Sequence, residues 1–239
     1  RTVARGLMYE PAPNSTFRIF TDNTIPADGS CGATCIEDTT DAMGEASAML
    51  SADSWVAYRT LENTAAGTIE TFQVNKEVSL SRYESTATEA FELSAIVGSL
   101  FTSALMAGRV TRQAGTVALT GTAYDCAGNE LVGAELRAFN AAGEIVGGTA
   151  LTGVRYIYWP DSGPLPAGNR TFTSNQGRFA GGNIPAGGPI RLELWAVRTD
   201  GANPTPIACE QIPGFEDSVV IIDLEPTRAD GPSGCSTAP

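Results

Sequence analysis

The chain of 239 residues contains no histidine and a single lysine, Lys76. Without an imidazole, Ser-His-Asp and Cys-His catalysis, His-ligated metals and haem attachment are excluded. Charged side chains make up only 18%, against about 25% in ordinary globular domains. Bases are scarcer than acids, 15 against 27, giving a net charge of −12. So acidic a chain repels phosphate backbones, and nucleic acid is not an expected partner. No two cysteines stand in a C-x-x-C pair, which excludes zinc ribbons and thioredoxin-like redox motifs. No transmembrane segment is expected either. The one long apolar stretch, residues 90–106, is broken by Glu92, Ser94, Ser99, Thr102 and Ser103 and is too short and polar to span a bilayer. The opening Arg1-Thr-Val-Ala-Arg5 lacks the apolar core of a signal peptide, so any such signal was processed away or lies outside this sequence.

What is present is enough to fold. Hydrophobic residues are 42% of the chain, and Gly and Pro together are 40 of 239 residues, about 17%, well below the roughly 25–30% of low-complexity chains. The length suits one large domain or two small ones. Among the five cysteines, Cys31 and Cys35 stand at a spacing that lets a local disulfide pinch a turn. Cys126, Cys209 and Cys235 supply a second bridge and leave one thiol over. A Cys126–Cys209 bridge would close a long loop, worth about 4–5 kcal/mol in the chain-entropy model. The alternative is five buried, reduced cysteines. The oxidised reading points to an extracellular, cell-surface or periplasmic setting.

Alternation of apolar and polar residues predicts strands at residues 16–20, 54–61 and 68–74, with an extension over 77–80. Residues 1–16 read as a loose leader, and residues 21–45 as an acidic, turn-rich segment. The period then changes. Leu93, Ile96, Val97, Leu100, Phe101, Ala104 and Leu105 fall on one face of a helix. Thr86-Ala-Thr-Glu89 fits a capping box, with Gly108 as the stop and Arg109 complementing the dipole. The apolar stripe is expected to pack on its own domain rather than on a partner. Strands follow at 116–124, 134–139, 154–159 and 190–198. A nearly all-apolar strand at 217–224 is expected to be central, and a polar tail begins at 226.

Two stretches look alike. Thr40-Asp-Ala-Met-Gly44 and Thr173-Ser-Asn-Gln-Gly177 each place a Thr four residues before a Gly that accepts the left-handed conformation of a hairpin turn. Each leads on through a short strand and a second turn. Alternating strands with aromatics follow, Trp55 and Tyr58 in one copy and Trp195 in the other. The repeat suggests two related β modules. The stretch Gly121-Thr-Ala-Tyr-Asp-Cys-Ala-Gly-Asn-Glu-Leu-Val-Gly-Ala-Glu-Leu136, followed by 173–177, Ile184-Pro-Ala-Gly187 and 190–197, resembles the carboxypeptidase regulatory-like domain, a transthyretin-like β-sandwich. The resemblance covers residues 116–224, and extends to 16–80 through the Thr40 turn. It is similar to modular surface or lipid-anchored proteins of Gram-negative bacteria, although this chain lacks an N-terminal lipid-carrying cysteine. It implies scaffolding, adhesion or accessory work, and no catalytic residues.

The fold expected is therefore mainly β: two transthyretin-like antiparallel β-sandwiches with one amphipathic connecting helix. The modules would span 1–84 and 114–229, with the helix and linker at 85–113 and the tail at 230–239. Tyr156, Tyr158, Trp159 and Trp195 form a candidate platform for a sugar ring; the blander reading puts one of their faces in the core. Asp125, Asn129 and Glu130, or Glu37, Asp38 and Asp41, offer oxygens for calcium, but turn chemistry explains them as well. No metal or cofactor is therefore expected, and no motif marks a hydrolase among the carboxylates. Asn14-Ser-Thr16 and Asn169-Arg-Thr171 match glycosylation sequons, which arise often by chance. The function expected is a non-catalytic, secreted or surface-attached structural subunit that assembles with other protein subunits, strand addition at sheet edges being a ready mechanism. The alternatives are a carbohydrate-binding accessory module, with a glycan as partner, and a self-polymerising filament subunit.

Overall fold

The computed structural model describes residues 2–5, 11–78, 91–146, 155–196 and 204–226. It is mainly β and divides into two compact units, Arg1–Phe101 and Thr102–Pro239. The first unit holds β1 (Thr2–Arg5), β2 (Thr16–Phe20), β3 (Cys35–Thr39), β4 (Glu45–Ala46), β5 (Ser54–Thr60), β6 (Thr68–Ile69), β7 (Thr71–Val78), β8 (Phe91–Ser94) and β9 (Ile96–Val97). The helix α1 (Gly98–Ala107) carries the chain from one unit into the next. The second unit holds β10 (Thr116–Ala123), β11 (Ala134–Phe139), β12 (Ile145–Val146), β13 (Arg155–Tyr158), β14 (Arg178–Pro185), β15 (Ile190–Ala196), β16 (Thr205–Ile212) and β17 (Val219–Leu224).

The two units repeat one strand order. In the first, β1 pairs antiparallel with β4 and parallel with β8, while a second run is ordered β3-β2-β5-β7, all antiparallel. In the second, β10 pairs antiparallel with β14 and parallel with β17, while the other run is β12-β11-β15-β16, again antiparallel. β13 is an addition, joined to β14. In each unit the alternation of side chains turns one face of each run inward. Phe17 and Ile19 of β2 and Val56 and Tyr58 of β5 meet Phe91 and Leu93 of β8 in one core cluster. Burying each Phe or Leu there contributes about 1.5–3 kcal/mol. The residues read as a loose leader thus include a paired strand, β1.

A buried threonine recurs at the same place in both units. Thr40 donates its hydroxyl to the Ala12 carbonyl (2.7 Å) and accepts the Ser15 N–H (2.9 Å). Thr173 donates to the Leu131 carbonyl (2.6 Å) and accepts the Ala134 N–H (2.9 Å). The main chain repeats as well: Asn14 N–H donates to Thr40 O and Gly133 N–H to Thr173 O, while the Thr40 and Thr173 N–H groups return bonds to Ser15 O and Ala134 O. Asn14 and Gly133 both stand at positive φ, 53° and 78°, a conformation open to Gly and tolerated by Asn. The Gly44 and Gly177 turns beside the threonines are left-handed too.

The helix differs from its expected span. It begins at Gly98, and β8 and β9 occupy residues that the 3.6-residue pattern had assigned to it. Leu93 and Ile96 satisfy the helical spacing, but Phe91 and Leu93 also alternate with exposed Glu92. Pairing with β1 and burial in the first core decide for the strand. The Thr86–Glu89 capping box lies outside the described residues. At the other end the left-handed residue is Arg109, at φ 63°, not Gly108. Val110 N–H reaches Leu105 O and Arg109 N–H reaches Met106 O, the paired bonds of a Schellman ending. Gly108 is needed for space, because a Cβ there would stand 2.5 Å from the Ile157 side chain.

Two stability series test this architecture by urea unfolding. Thr40→Val and Thr173→Val each leave a buried N–H and C=O without partners and should cost about 1–3 kcal/mol. Ser15→Ala should be neutral or stabilising, because Ser15 Oγ is buried without a partner and Ala134 fills the equivalent place. Arg109→Gly should stabilise by about 1 kcal/mol by relieving the left-handed conformation, and a loss would contradict the capping geometry.

Candidate functional site

The four aromatic residues nominated for sugar binding do not share a surface. Tyr156 and Tyr158 do lie on one face of β13, but that face is interior. The Tyr158 hydroxyl accepts the Leu136 N–H (2.9 Å), reaching from one sheet to β11 of the other. The Tyr156 hydroxyl donates to Val146 O (2.7 Å). Burial pushes both phenols above their ordinary value. Trp159 donates its indole N–H to Pro164 O (3.0 Å) within the loop that follows β13. Trp195 belongs to β15. It is stacked under the Arg137 guanidinium at 4.0 Å and donates to Glu193 (2.9 Å). No flat platform results, because the sequence fixes the alternation of 156 and 158 but not which face meets the core.

The carboxylates weighed for calcium are occupied by turns. Asp41 Oδ1 accepts the Met43 and Glu45 N–H groups, and Asp125 Oδ1 those of Ala127 and Asn129. Asn140 repeats the arrangement with Ala142 and Glu144. In all three the following Gly (44, 128, 143) is left-handed, so one Asx-Gly turn is used three times. The Asn129 N–H holds the Asp125 carboxyl below the ordinary carboxylate range. Glu37 pairs with Arg18, and Asp38 accepts the Thr39 N–H. Among the described residues no three His, Cys, Asp or Glu side chains converge on a metal-sized site.

Cys31 and Cys35 are joined, closing the turn that enters β3. The segment before it is braced as well. Arg18 and Arg59 both donate to the Gly29 carbonyl (2.8 and 2.6 Å), and their other nitrogens meet Glu37 and Glu70. A Cys126–Cys209 bridge does not form. Cys126 is a free, exposed thiol at the tip of the Asp125 turn, while Cys209 on β16 is disulfide-bonded. Sequence spacing carried no sign of which of the three would be left over.

One open cleft of about 490 Å³ stands on the first unit, lined by Pro13, Asn14, Thr16 and residues 62–66. Its polar groups serve the fold: Asn63 donates to Asn14 O, and Thr16 shares a hydrogen bond with Thr39. Exposed apolar side chains include Val132, Ile145, Leu165 and Phe172 on the second unit and Met43 and Met49 on the first. No described helix is long and apolar enough to cross a membrane.

No protein-family model and no curated protein matches the chain. Among solved structures it is similar to the TIE protein of Bacillus anthracis, with 14% identity over 94% of this chain and a TM-score of 0.25. The chain spans 33% of that protein's length. It is also similar to a shaft pilin of Lactobacillus rhamnosus GG, with 14% identity, 95% and 97% of the two chains covered and a TM-score of 0.26. A third is a minor pilin of Streptococcus agalactiae, with 12% identity, 97% and 89% covered and a TM-score of 0.24. Likenesses at such scores carry no argument about fold or function.

The buried phenols yield a pH test. Their folded values lie above that of an unfolded tyrosine, near 10. Their contribution is therefore complete below pH 10 and is lost as the pH rises beyond it, where only the unfolded chain releases the protons. Absorbance near 295 nm should show Tyr156 and Tyr158 among the tyrosines that ionise only as the chain unfolds, at least two of the six. Six phenols titrating together with the fold intact would contradict their placement.

Proposed function

We propose that this chain is a non-catalytic structural subunit, secreted or surface-attached, that joins other protein subunits in a larger extracellular assembly. The observation that carries the reading is the threonine latch, built twice on one strand order. Polar groups in both units are spent on fixing backbone, which suits a rigid spacer better than a site that must change during a reaction. The two units are read as transthyretin-like sandwiches, in keeping with the resemblance of residues 116–224. Oxidised cysteines favour a location outside the reducing cytosol.

Two strands at the ends of the eight-stranded sheet, β3 and β13, are guarded against strand addition. β3 enters through the Cys31–Cys35 bridge, carries Glu37 and Asp38, and has its last N–H held by Asp38. At β13 the loop folds back so that Ala167 N–H bonds Tyr158 O. Subunit contacts are therefore assigned to side-chain surfaces, with Val132, Leu165 and Phe172 as apolar material.

Mild isolation from the native source, followed by sizing, tests the proposal. The chain should travel in a complex well above its own 24.9 kDa, with partner subunits identifiable after cross-linking. A lone monomer at native concentration would overturn it.

A further inference from the structure

Among the described residues β3 ends its sheet, with β2 on one side and no strand on the other. Antiparallel pairing turns alternate residues toward the partner strand. Thr21 N–H donates to Thr34 O (2.9 Å) and Thr40 N–H to Ser15 O (3.1 Å). The main chain of Ile36 and Asp38 therefore bonds toward β2, and that of Cys35, Glu37 and Thr39 faces outward. Two of the three outward donors are already taken. Cys35 N–H donates to Gly32 O (3.2 Å), and Thr39 N–H to Asp38 Oδ1 (2.7 Å). Glu37 N–H alone is left, and one donor does not make a ladder. We propose that the Cys31–Cys35 bridge is a redox gate on this edge. Oxidised, it holds the Gly32 carbonyl on the Cys35 N–H; reduced, it opens β3 to an extended, basic segment of another chain. The gate needs no native subunit and would stand even if sizing showed a lone monomer.

Among the described residues no packing holds the Gly32 carbonyl in place. Residues 31–34 are exposed, and a side chain begun at Gly32 would meet nothing within 4 Å. Both flanks of this link are anchored. Arg18 and Arg59 donate to Gly29 O on one side. On the other, Thr21 donates to Thr34 O through its N–H and its hydroxyl, and Thr34 Oγ1 donates to Asp22 Oδ2 (3.0 Å). Opening the bridge thus releases residues 31–33 and leaves β3 paired with β2. With Cys35 N–H freed, two successive outward residues offer donors, the start of a ladder.

Charge selects the occupant. Glu37, met by Arg18 from β2, and Asp38 are neighbours on β3, which carries no base. Asp22 and Asp28 are exposed in the turn before it. A second copy of β3 would set carboxylates against carboxylates, whereas lysine or arginine opposite Glu37 and Asp38 is attracted. Main-chain bonds supply the affinity of such strand addition, and the side chains its specificity.

Opening is a two-electron reduction. A dithiol gives up two electrons and two protons and becomes a disulfide, while the S–S bond of Cys31 and Cys35 becomes two thiols. Cys31 is exposed, so the reductant has access to the bond. A disulfide oxidant reverses the step.

The double variant Cys31→Ser, Cys35→Ser tests the gate with the Cys209 bridge untouched. By NMR, amide exchange at position 35 should rise about tenfold or more over the oxidised parent, while the Ile36 and Asp38 amides keep their rates. A short blocked peptide of threonine and valine with two central lysines should bind the variant, shifting the residue 35–39 amides, and should leave the parent unmoved. The same peptide with glutamates for lysines should bind neither. Unchanged exchange at position 35, or equal binding to both forms, would overturn the gate. Raised exchange without binding, or binding of the glutamate peptide, would overturn the basic occupant. Should the variant fail to fold, both readings are taken on the parent under graded dithiothreitol, with alkylation of Cys31 and Cys35 marking the opening of their bridge. There the same outcomes decide.

Discussion

The satisfaction of main-chain groups by Thr40 and Thr173 is the constraint on which both units rest. Ahead of β2 and β11, the Ser15 and Ala134 N–H groups and the carbonyls of Ala12 and Leu131, three residues earlier, take their partner from a threonine side chain. Leaving such a pair unmet costs a few kcal/mol. A threonine hydroxyl gives and takes one bond each, so one side chain settles both groups. Its own N–H and C=O continue the bonding to the neighbouring turn. The entering strand is thereby fixed in register, and the inward set of Phe17 and Ile19, or of Leu136 and Ala138, is committed to the core. Twenty-five residues separate Ser15 from Thr40 and thirty-nine separate Ala134 from Thr173. The latch is thus conserved in geometry between units while the intervening chain varies in length.

Each sandwich also uses a buried tyrosine to tie one sheet to the other. Tyr58 accepts the Ser94 N–H and donates to Gln73, and Tyr158 accepts the Leu136 N–H. With the Asx-Gly turns at Asp41, Asp125 and Asn140 and two guanidinium groups on the Gly29 carbonyl, most of the specialised polar groups here act on backbone. That pattern gives stiffness with few charges, and it accounts for how a chain of such low charge content holds long turns in place.

Much of the fold could be read from residues. Thr16–Phe20 and Ala134–Phe139 alternate cleanly, and both were legible to the residue. The kinship of the Thr40 and Thr173 turns was visible because Thr and Gly are both required there. The short strand expected after Gly177 is β14, Arg178–Pro185, but its packing is not legible for physical reasons. It contains Gly181, Gly182 and a left-handed Asn183. Those small residues make room for Tyr156, Leu119, Val110 and Leu105, contacts that no local pattern reveals. β16 opens on Thr-Pro, a pair that reads as a break rather than as the start of a strand. The start of α1 differs from the helical spacing because Phe91–Ser94 fits both periods, and only pairing with β1 separates them. For the nominated aromatics, period 2 placed Tyr156 and Tyr158 together, while their partners decided that they would be core.

Amide hydrogen exchange at two positions tests the account most directly. If the threonine hydroxyls anchor the two sandwiches, the Ser15 and Ala134 N–H groups should exchange at rates matching the central strands of their own units. Exchange of either amide at the rate of the exposed hairpin tips would contradict it.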